Sequence, residues 1–180
     1  MWVFAYGSLI WRPGFEHAGM HRALLRGWHR GFCLWSHHYR GTPERPGLVL
    51  GLDRGGACQG AAFRVPGAAA AAVLRTLDAR ELPDGREQVY HRRVVPVRVQ
   101  DGAGGFVVPA VTYVVNRASC HYVPKLDPAR IAAVIAGGVG LTGTNRDYLL
   151  NTLGHLAELG VRDAGLERIA TLLPPAADAA

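Results

Sequence analysis

The residue pattern predicts an α+β domain in which a mostly antiparallel sheet can curl into a barrel, with helices flanking it. Three observations lead there. Alternating and β-branched runs dominate the chain up to Val115, a single helical segment interrupts them, and the remainder is helical. No G-x-G-x-x-G or Walker sequence opens a helix after a strand, so a doubly wound nucleotide fold is not indicated; Gly137-Gly138-Val139-Gly140 lacks both the lysine and the context. With 180 residues, 49% hydrophobic and 19% charged, the chain is one domain in size and can bury a core without crosslinks.

Met1 to Leu9 reads as a short buried strand, Val3-Phe4-Ala5, that ends in the turn Tyr6-Gly7-Ser8. Ala23 to Trp35 alternates aromatic and glycine positions with arginines, as a strand with one wet face would. His38 to Pro46 is a polar loop of turn formers. Leu48 to Leu52 and Cys58 to Val65 read as two strands, and Asp53-Arg54-Gly55-Gly56 between them is a hairpin signal.

Then the period changes. Gly67 to Glu81 has helical spacing, with Val73, Leu74 and Leu77 on one face, and Pro83-Asp84-Gly85 stops it. Tyr90 to Val99 alternates again, and Pro96 within it indicates an edge strand. Gly102 to Gly105 is a turn into a β-branched strand, Phe106 to Val115. Pro128 to Ile135, Asn145 to Leu159 and Asp163 to Leu173 are helical; Thr144 or Asn145 can cap the second, and Gly160 follows its end. Residues 1–173 are thus expected to form a single domain, with 174–180 a loose tail.

The formal charge of +6 comes from scattered arginines rather than a basic stripe interleaved with aromatics, so a nucleic-acid face is not expected. A positive field that draws in a small anion fits the same composition. The start of the chain has no basic leader and no apolar run is long enough for a bilayer, so the expectation is a cytoplasmic protein without a membrane contact. Cys33, Cys58 and Cys120 are far apart and form no C-x-x-C pair, and each reads as a small buried hydrophobe. The histidines include His37-His38, but no HExxH or His-x-His spacing marks a metal site, and none is expected.

Three segments could carry chemistry. Tyr6-Gly7-Ser8-Leu9 is either a nest of amides for a carboxylate or developing oxyanion, or an ordinary turn after a strand. Glu81 ends the apolar-faced helix, where the negative end of the helix dipole raises a carboxylate's proton affinity and suits a general base; it can equally be a solvated partner of Arg80 or Arg86. Asn145-Arg146-Asp147-Tyr148-Leu149 reads as a helix cap or as part of a site. From the residues alone these amount to an α+β domain with a candidate anion pocket.

A resemblance sharpens this reading. Phe4-Ala5-Tyr6-Gly7-Ser8-Leu9-Ile10-Trp11-Arg12-Pro13 is similar to the opening signature of the ChaC-like γ-glutamylcyclotransferases, the branch acting on glutathione. Arg40-Gly41-Thr42-Pro43-Glu44 through Pro46-Gly47-Leu48-Val49-Leu50-Gly51-Leu52 resembles the family's RGT-PG-V-L loop and strand, and Cys58 to Val65 its next strand. Leu74 to Glu81 resembles the helix ending in its RE element, and Gly143 to Leu166 its tail. YGSL alone is a weak string; YGSL, RGT-PG and RE in this order are specific. The resemblance implies a cyclotransferase-type barrel and a lyase without metal or cofactor, which releases 5-oxoproline and cysteinylglycine from glutathione. It further implies Glu81 as general acid and base, the Tyr6, Gly7, Ser8 and Leu9 segment as the holder of the γ-glutamyl end, and Tyr90 as a pocket wall. In this chain Pro83-Asp84-Gly85 lengthens the connection from Glu81 to Tyr90, and Arg86-Glu87 is a second RE. Glu87 is therefore the alternative base; Glu81 is preferred because it follows the apolar helix.

Overall fold

A computed structural model describes residues 1–83, 87–101 and 104–175. The chain order is β1 (Trp2–Ala5), β2 (Met20–Ser36), β3 (Gly47–Arg64), α1 (Ala70–Glu81), β4 (Tyr90–Val99), β5 (Phe106–Val115), α2 (Pro128–Gly137), β6 (Val139–Gly140), β7 (Gly143–Thr144), α3 (Asn145–Glu158) and α4 (Ala164–Thr171). β1 to β5 form a closed barrel in the order β1-β3-β2-β4-β5, and β6 with β7 forms a small separate ribbon. The neighbours pair antiparallel except where β1 meets β5, through Trp2↔Ala110 and Val3↔Val111. This is the expected α+β barrel.

Two strands depart from the sequence expectation. Leu48–Leu52 and Cys58–Val65 do not fold back on each other; they belong to one strand, β3, which runs antiparallel along β2 from Ser36↔Gly47 to Met20↔Phe63. The glycines predicted as a hairpin make a bulge instead. Between Arg26↔Ala57 and Trp28↔Arg54, Gly55 and Gly56 face Gly27 alone, and all three have positive φ, at 98°, 71° and 82°. Glycine adopts that geometry without a Cβ clash, and a two-against-one mismatch bends a long ribbon so that it can wrap into a barrel. The local turn signal was real, but pairing with β2 decided its use. The edge expected at Pro96 is partial: β4 pairs with β2 only through Val97–Val99, and the stretch before Pro96 pairs with β5 alone.

The core follows the strand periods. Val95, Val97 and Val99 point inward while Val94, Pro96 and Arg98 are exposed, and Phe4, Leu25, Phe63 and Ala110 close the interior. α1 buries Val73 and Leu77, with Leu74 half-buried. The Asp84 and Gly85 of its predicted stop, Arg86 beyond it, Gly102 of the predicted β4–β5 turn, and residues 176–180 of the predicted tail lie outside the described residues. Thr144 is the cap of α3, accepting from the Asp147 amide at 2.9 Å. Asn145 does other work: its amide group accepts from Leu48 N and donates to Leu48 O, both at 2.7 Å, pairing with β3 as a neighbouring strand would.

The RGT-PG loop is held by close backbone contact. A Cβ on Gly41 would lie 2.1 Å from Gly47 N, and one on Gly47 would lie 2.1 Å from Arg40 O, so only glycine fits at either place. Arg40 is buried beneath the loop, donates to the Thr142 and Thr144 carbonyls, and lies 5.1 Å from the centre of the Tyr148 ring. The loop thus fixes the start of α3 and the ring of Tyr148.

Candidate active site

At one end of the barrel, Tyr6, Gly7, Ser8, Leu9, Leu50, Glu81, Tyr90, Tyr113 and Tyr148 line a small cleft of about 40 Å³. All six residues singled out from the sequence are therefore brought together. They arrive on three pieces of the fold. β1 ends at Ala5, and the next residues leave the sheet in a 3-10 turn, Ser8–Ile10. Glu81 is the last residue of α1, Tyr90 the first of β4, Tyr113 lies on β5, and Tyr148 sits in the first turn of α3.

The Tyr6–Leu9 segment has directed amides. Arg30, whose side chain is only 1% exposed, donates from Nε to the Tyr6 carbonyl at 2.5 Å, and its two other nitrogens reach Asp163 Oδ2 and Gln59 O, both at 2.6 Å. A trans peptide holds its C=O and N–H on opposite sides, so fixing the Tyr6 oxygen toward Arg30 turns the Gly7 N–H away from it. Among the described residues the Gly7, Ser8 and Leu9 amides carry no hydrogen bond, whereas those of Ile10, Trp11 and Arg12 close the turn onto Gly7 and Ser8. Three adjacent free donors at the mouth of a cleft are suited to an oxyanion or carboxylate. A Cβ on Gly7 would come within 3.1 Å of the Tyr148 hydroxyl, so glycine gives that hydroxyl its place. Trp11 stacks on His155 at 5.4 Å and anchors the turn on α3.

Glu81 has only 16% of its side chain exposed. Burial raises its pKa above the ordinary 4.5, and the Arg80 guanidinium, 3.2 Å from Oε1, works against that rise. The upward shift expected from the helix terminus comes mainly from burial instead. Arg80 continues past Glu81, donating to Ser8 Oγ at 2.9 Å and to the Arg12 carbonyl at 2.8 Å. The tyrosines complete the wall. Burial pushes Tyr6 and Tyr90 well above the ordinary tyrosine range and Tyr148 to about 12, so all three hydroxyls keep their protons at neutral pH. Tyr90 donates to the Leu50 carbonyl at 3.1 Å, and Tyr113 to Asp78 Oδ1 at 2.7 Å.

Glu87 lies elsewhere. It is exposed, does not line the cleft, and accepts from the Cys120 amide at 2.7 Å and the Cys120 thiol at 2.8 Å. Those bonds and the Ser119 hydroxyl hold its pKa at about 2. Cys33 and Cys58 are buried as expected, but Cys120 is exposed, because its loop leaves the barrel after β5. Its thiol pKa is raised by the Glu87 carboxylate, the reverse of what activates a nucleophile.

Sequence reasoning missed Leu50, Tyr113 and Arg30. Leu50 stands in the RGT-PG-V-L element without a role of its own, Tyr113 has no signal apart from its strand, and Arg30 counts only in the general charge. Tyr148 stood within a segment noted for its cap, and Arg40 in the RGT motif. Among the described residues, no helix is long and apolar enough to cross a membrane.

Comparison with known proteins bears on this cleft. A family model described as "ChaC-like protein" matches residues 1–174. The chain is 34% identical over 166 residues to a glutathione-specific γ-glutamylcyclotransferase of Escherichia coli strain K12, covering 92% of this chain and 69% of that protein. It is 30% identical over 182 residues to glutathione-specific γ-glutamylcyclotransferase 1 of Homo sapiens, covering 97% and 80%. A crystal structure of a γ-glutamyl cyclotransferase specific to glutathione from yeast has the same fold, with a TM-score of 0.83, 22% identity and 96% of each chain covered.

Proposed function

The chain belongs to the ChaC-like protein family, and on that premise we propose that it is a glutathione-specific γ-glutamylcyclotransferase whose proton carrier is Glu81. The substrate's own α-amine attacks its γ-carbonyl and closes a five-membered ring. Nucleophile and electrophile are tethered, so the enzyme need only fold the γ-glutamyl end into reacting geometry, and proximity supplies much of the rate.

The protons balance with one carboxylate. Glu81, ionised at the start, takes a proton from the α-ammonium group. The freed amine adds to the γ-carbon, and the carbonyl oxygen becomes an oxyanion that the Gly7, Ser8 and Leu9 amides are placed to receive. Glu81 then returns its proton to the amide nitrogen as the C–N bond breaks, and the ring nitrogen, which still carries two hydrogens, passes one through the same carboxylate to the released amine, giving 5-oxoproline and the ammonium form of cysteinylglycine. Every atom of the products comes from the substrate, so the reaction consumes no second substrate, and we read it as proceeding without a metal or cofactor. A base that must also act as an acid works best with a pKa nearer the working pH than an exposed glutamate has, which is what burial provides.

The single observation that carries this assignment is the meeting of a buried carboxylate, whose pKa burial raises, with three unbonded amides in one tyrosine-walled cleft. Glu87 lacks both features: it is solvent-exposed, and its lowered pKa makes it a poor proton acceptor. Tyr6 and Tyr90, both neutral, line the γ-glutamyl end. We read residues 1–173 as one catalytic domain with no nucleic-acid or membrane partner, working in the cytoplasm; the unpaired state of Cys33, Cys58 and Cys120 fits a reducing compartment. Purified protein given reduced glutathione in the presence of chelator should release 5-oxoproline. Turnover of γ-glutamyl-alanine in preference to glutathione would overturn the substrate assignment.

A further inference from the structure

We propose a second, non-catalytic site that binds a zinc-class divalent cation through Glu87, Cys120 and His121. One donor atom from each lies within 4.8 Å of the other two. Glu87 precedes β4 whereas Cys120 and His121 follow β5, so the sequence spacing that led us to expect no metal site could not show the cluster. A tetrahedral zinc site, with bonds of roughly 2.0–2.3 Å, needs donors roughly 3.3–3.6 Å apart, an adjustment that the exposed Glu87 and Cys120 can make around the half-buried His121.

The donor set is soft enough to choose among metals. Thiolate, imidazole and carboxylate together suit Zn²⁺ or Co²⁺ rather than Mg²⁺ or Ca²⁺, which favour oxygen alone. Two further contacts prepare the site. His121 Nδ1 is 3.3 Å from the Trp35 carbonyl, the kind of partner that orients a ligating imidazole and leaves its other nitrogen free to bind. The same nitrogen is 3.3 Å from Nδ1 of His37, the first residue after β2, so a second imidazole stands beside His121. The Cys120 thiol already points at the Glu87 carboxylate, 2.8 Å away. On binding, the S–H bond breaks, its proton passes to solvent, and the sulfur lone pair forms the metal–sulfur bond; Glu87, already ionised, loses only the thiol hydrogen bond. The metal would staple the segment before β4 to the loop after β5, which are otherwise joined by Asn116 donating to the Val89 and Gln88 carbonyls. None of the three ligands lines the catalytic cleft.

The test uses the full chain stripped with chelator and titrated with Co²⁺ alone. One equivalent should produce a thiolate-to-cobalt charge-transfer band, absent in C120S and weakened at least about tenfold in affinity in E87Q and H121A. Zn²⁺ should displace the cobalt and, at about a hundred times its Kd, raise Tm by roughly 5–10 °C in the wild type but not in C120S. Cys120 is exposed and outside the cleft, so C120S should keep its fold and its 5-oxoproline release. Absence of the band in the wild type, or an undiminished band in C120S, would overturn the site.

Discussion

The Arg80 guanidinium joins the two halves of the cleft: it lies 3.2 Å from Glu81 Oε1 and donates to Ser8 Oγ at 2.9 Å. A single side chain thus restrains the proton carrier and the amide-bearing turn. It also sets the sign of a pH effect. Burial raises the Glu81 pKa and Arg80 lowers it, so removing the cation leaves burial unopposed. The acid limb of kcat/KM should lie above the ordinary glutamate value of 4.5, since the carboxylate must be ionised to begin. In R80M that limb should move to still higher pH. A limb that stays in place or moves down would show that Glu81 is not the group being titrated.

The same burial makes Glu81 a stability liability. Its folded pKa is above its unfolded value, so the folded state holds the proton more tightly than the unfolded state does. Stability therefore falls as pH rises from about the ordinary 4.5 to the raised value, and above that window the cost is constant. E81Q removes the buried charge and should have a higher Tm than the wild type at pH 7, with the difference vanishing below pH 4. Calorimetry across that range checks it, and a lower Tm for E81Q at pH 7 would contradict the sign.

Gly7 and Tyr148 should be coupled. G7A puts a methyl group 3.1 Å from the Tyr148 hydroxyl, so the turn or the ring must shift. A misplacement of this kind should lower kcat by about tenfold to a hundredfold while the fold persists. Y148F removes the hydroxyl that is crowded. If the clash is the cause, G7A in the Y148F background should lose clearly less than in the wild type; strict additivity in the double-mutant cycle would locate the damage elsewhere.

The Arg30–Asp163 pair supports the turn from behind. Asp163 also caps α4 through Oδ1, which accepts from Leu166 N at 3.1 Å. D163N separates the two roles, because asparagine caps as well as aspartate does but leaves the buried guanidinium without its counter-charge. The expected cost is about 3–5 kcal/mol by chemical denaturation. A cost below about 1 kcal/mol would mean that only the cap matters.

The barrel was legible because its signals are periodic and local. Val95, Val97 and Val99 alternate with exposed neighbours, and Val73 and Leu77 recur at helical spacing, so β4 and α1 could be read before any pairing was known. What could not be read was which strand each would meet. Gly55 and Gly56 have the same conformational freedom in a hairpin as in a bulge, and only the length of β2 opposite them decides between the two. The site divides in the same way. Tyr6 to Leu9, Glu81 and Tyr90 sit in recognisable strings, whereas Leu50 and Tyr113 enter the cleft through strand register, and Arg30 supports the Tyr6 carbonyl from behind while paired with Asp163 across 133 residues of chain. The cluster of Glu87, Cys120 and His121 is likewise a product of the antiparallel pairing of β4 with β5 and has no linear spacing to betray it.

The central claim is that one buried carboxylate at position 81 carries the proton. Parallel measurement of 5-oxoproline release from reduced glutathione by the wild type, E81Q and E87Q tests it most directly. The wild type should turn over, E81Q should lose about a hundredfold to ten-thousandfold in kcat while remaining folded, and E87Q should stay within a few fold of the wild type. An active E81Q beside an inactive E87Q would contradict it.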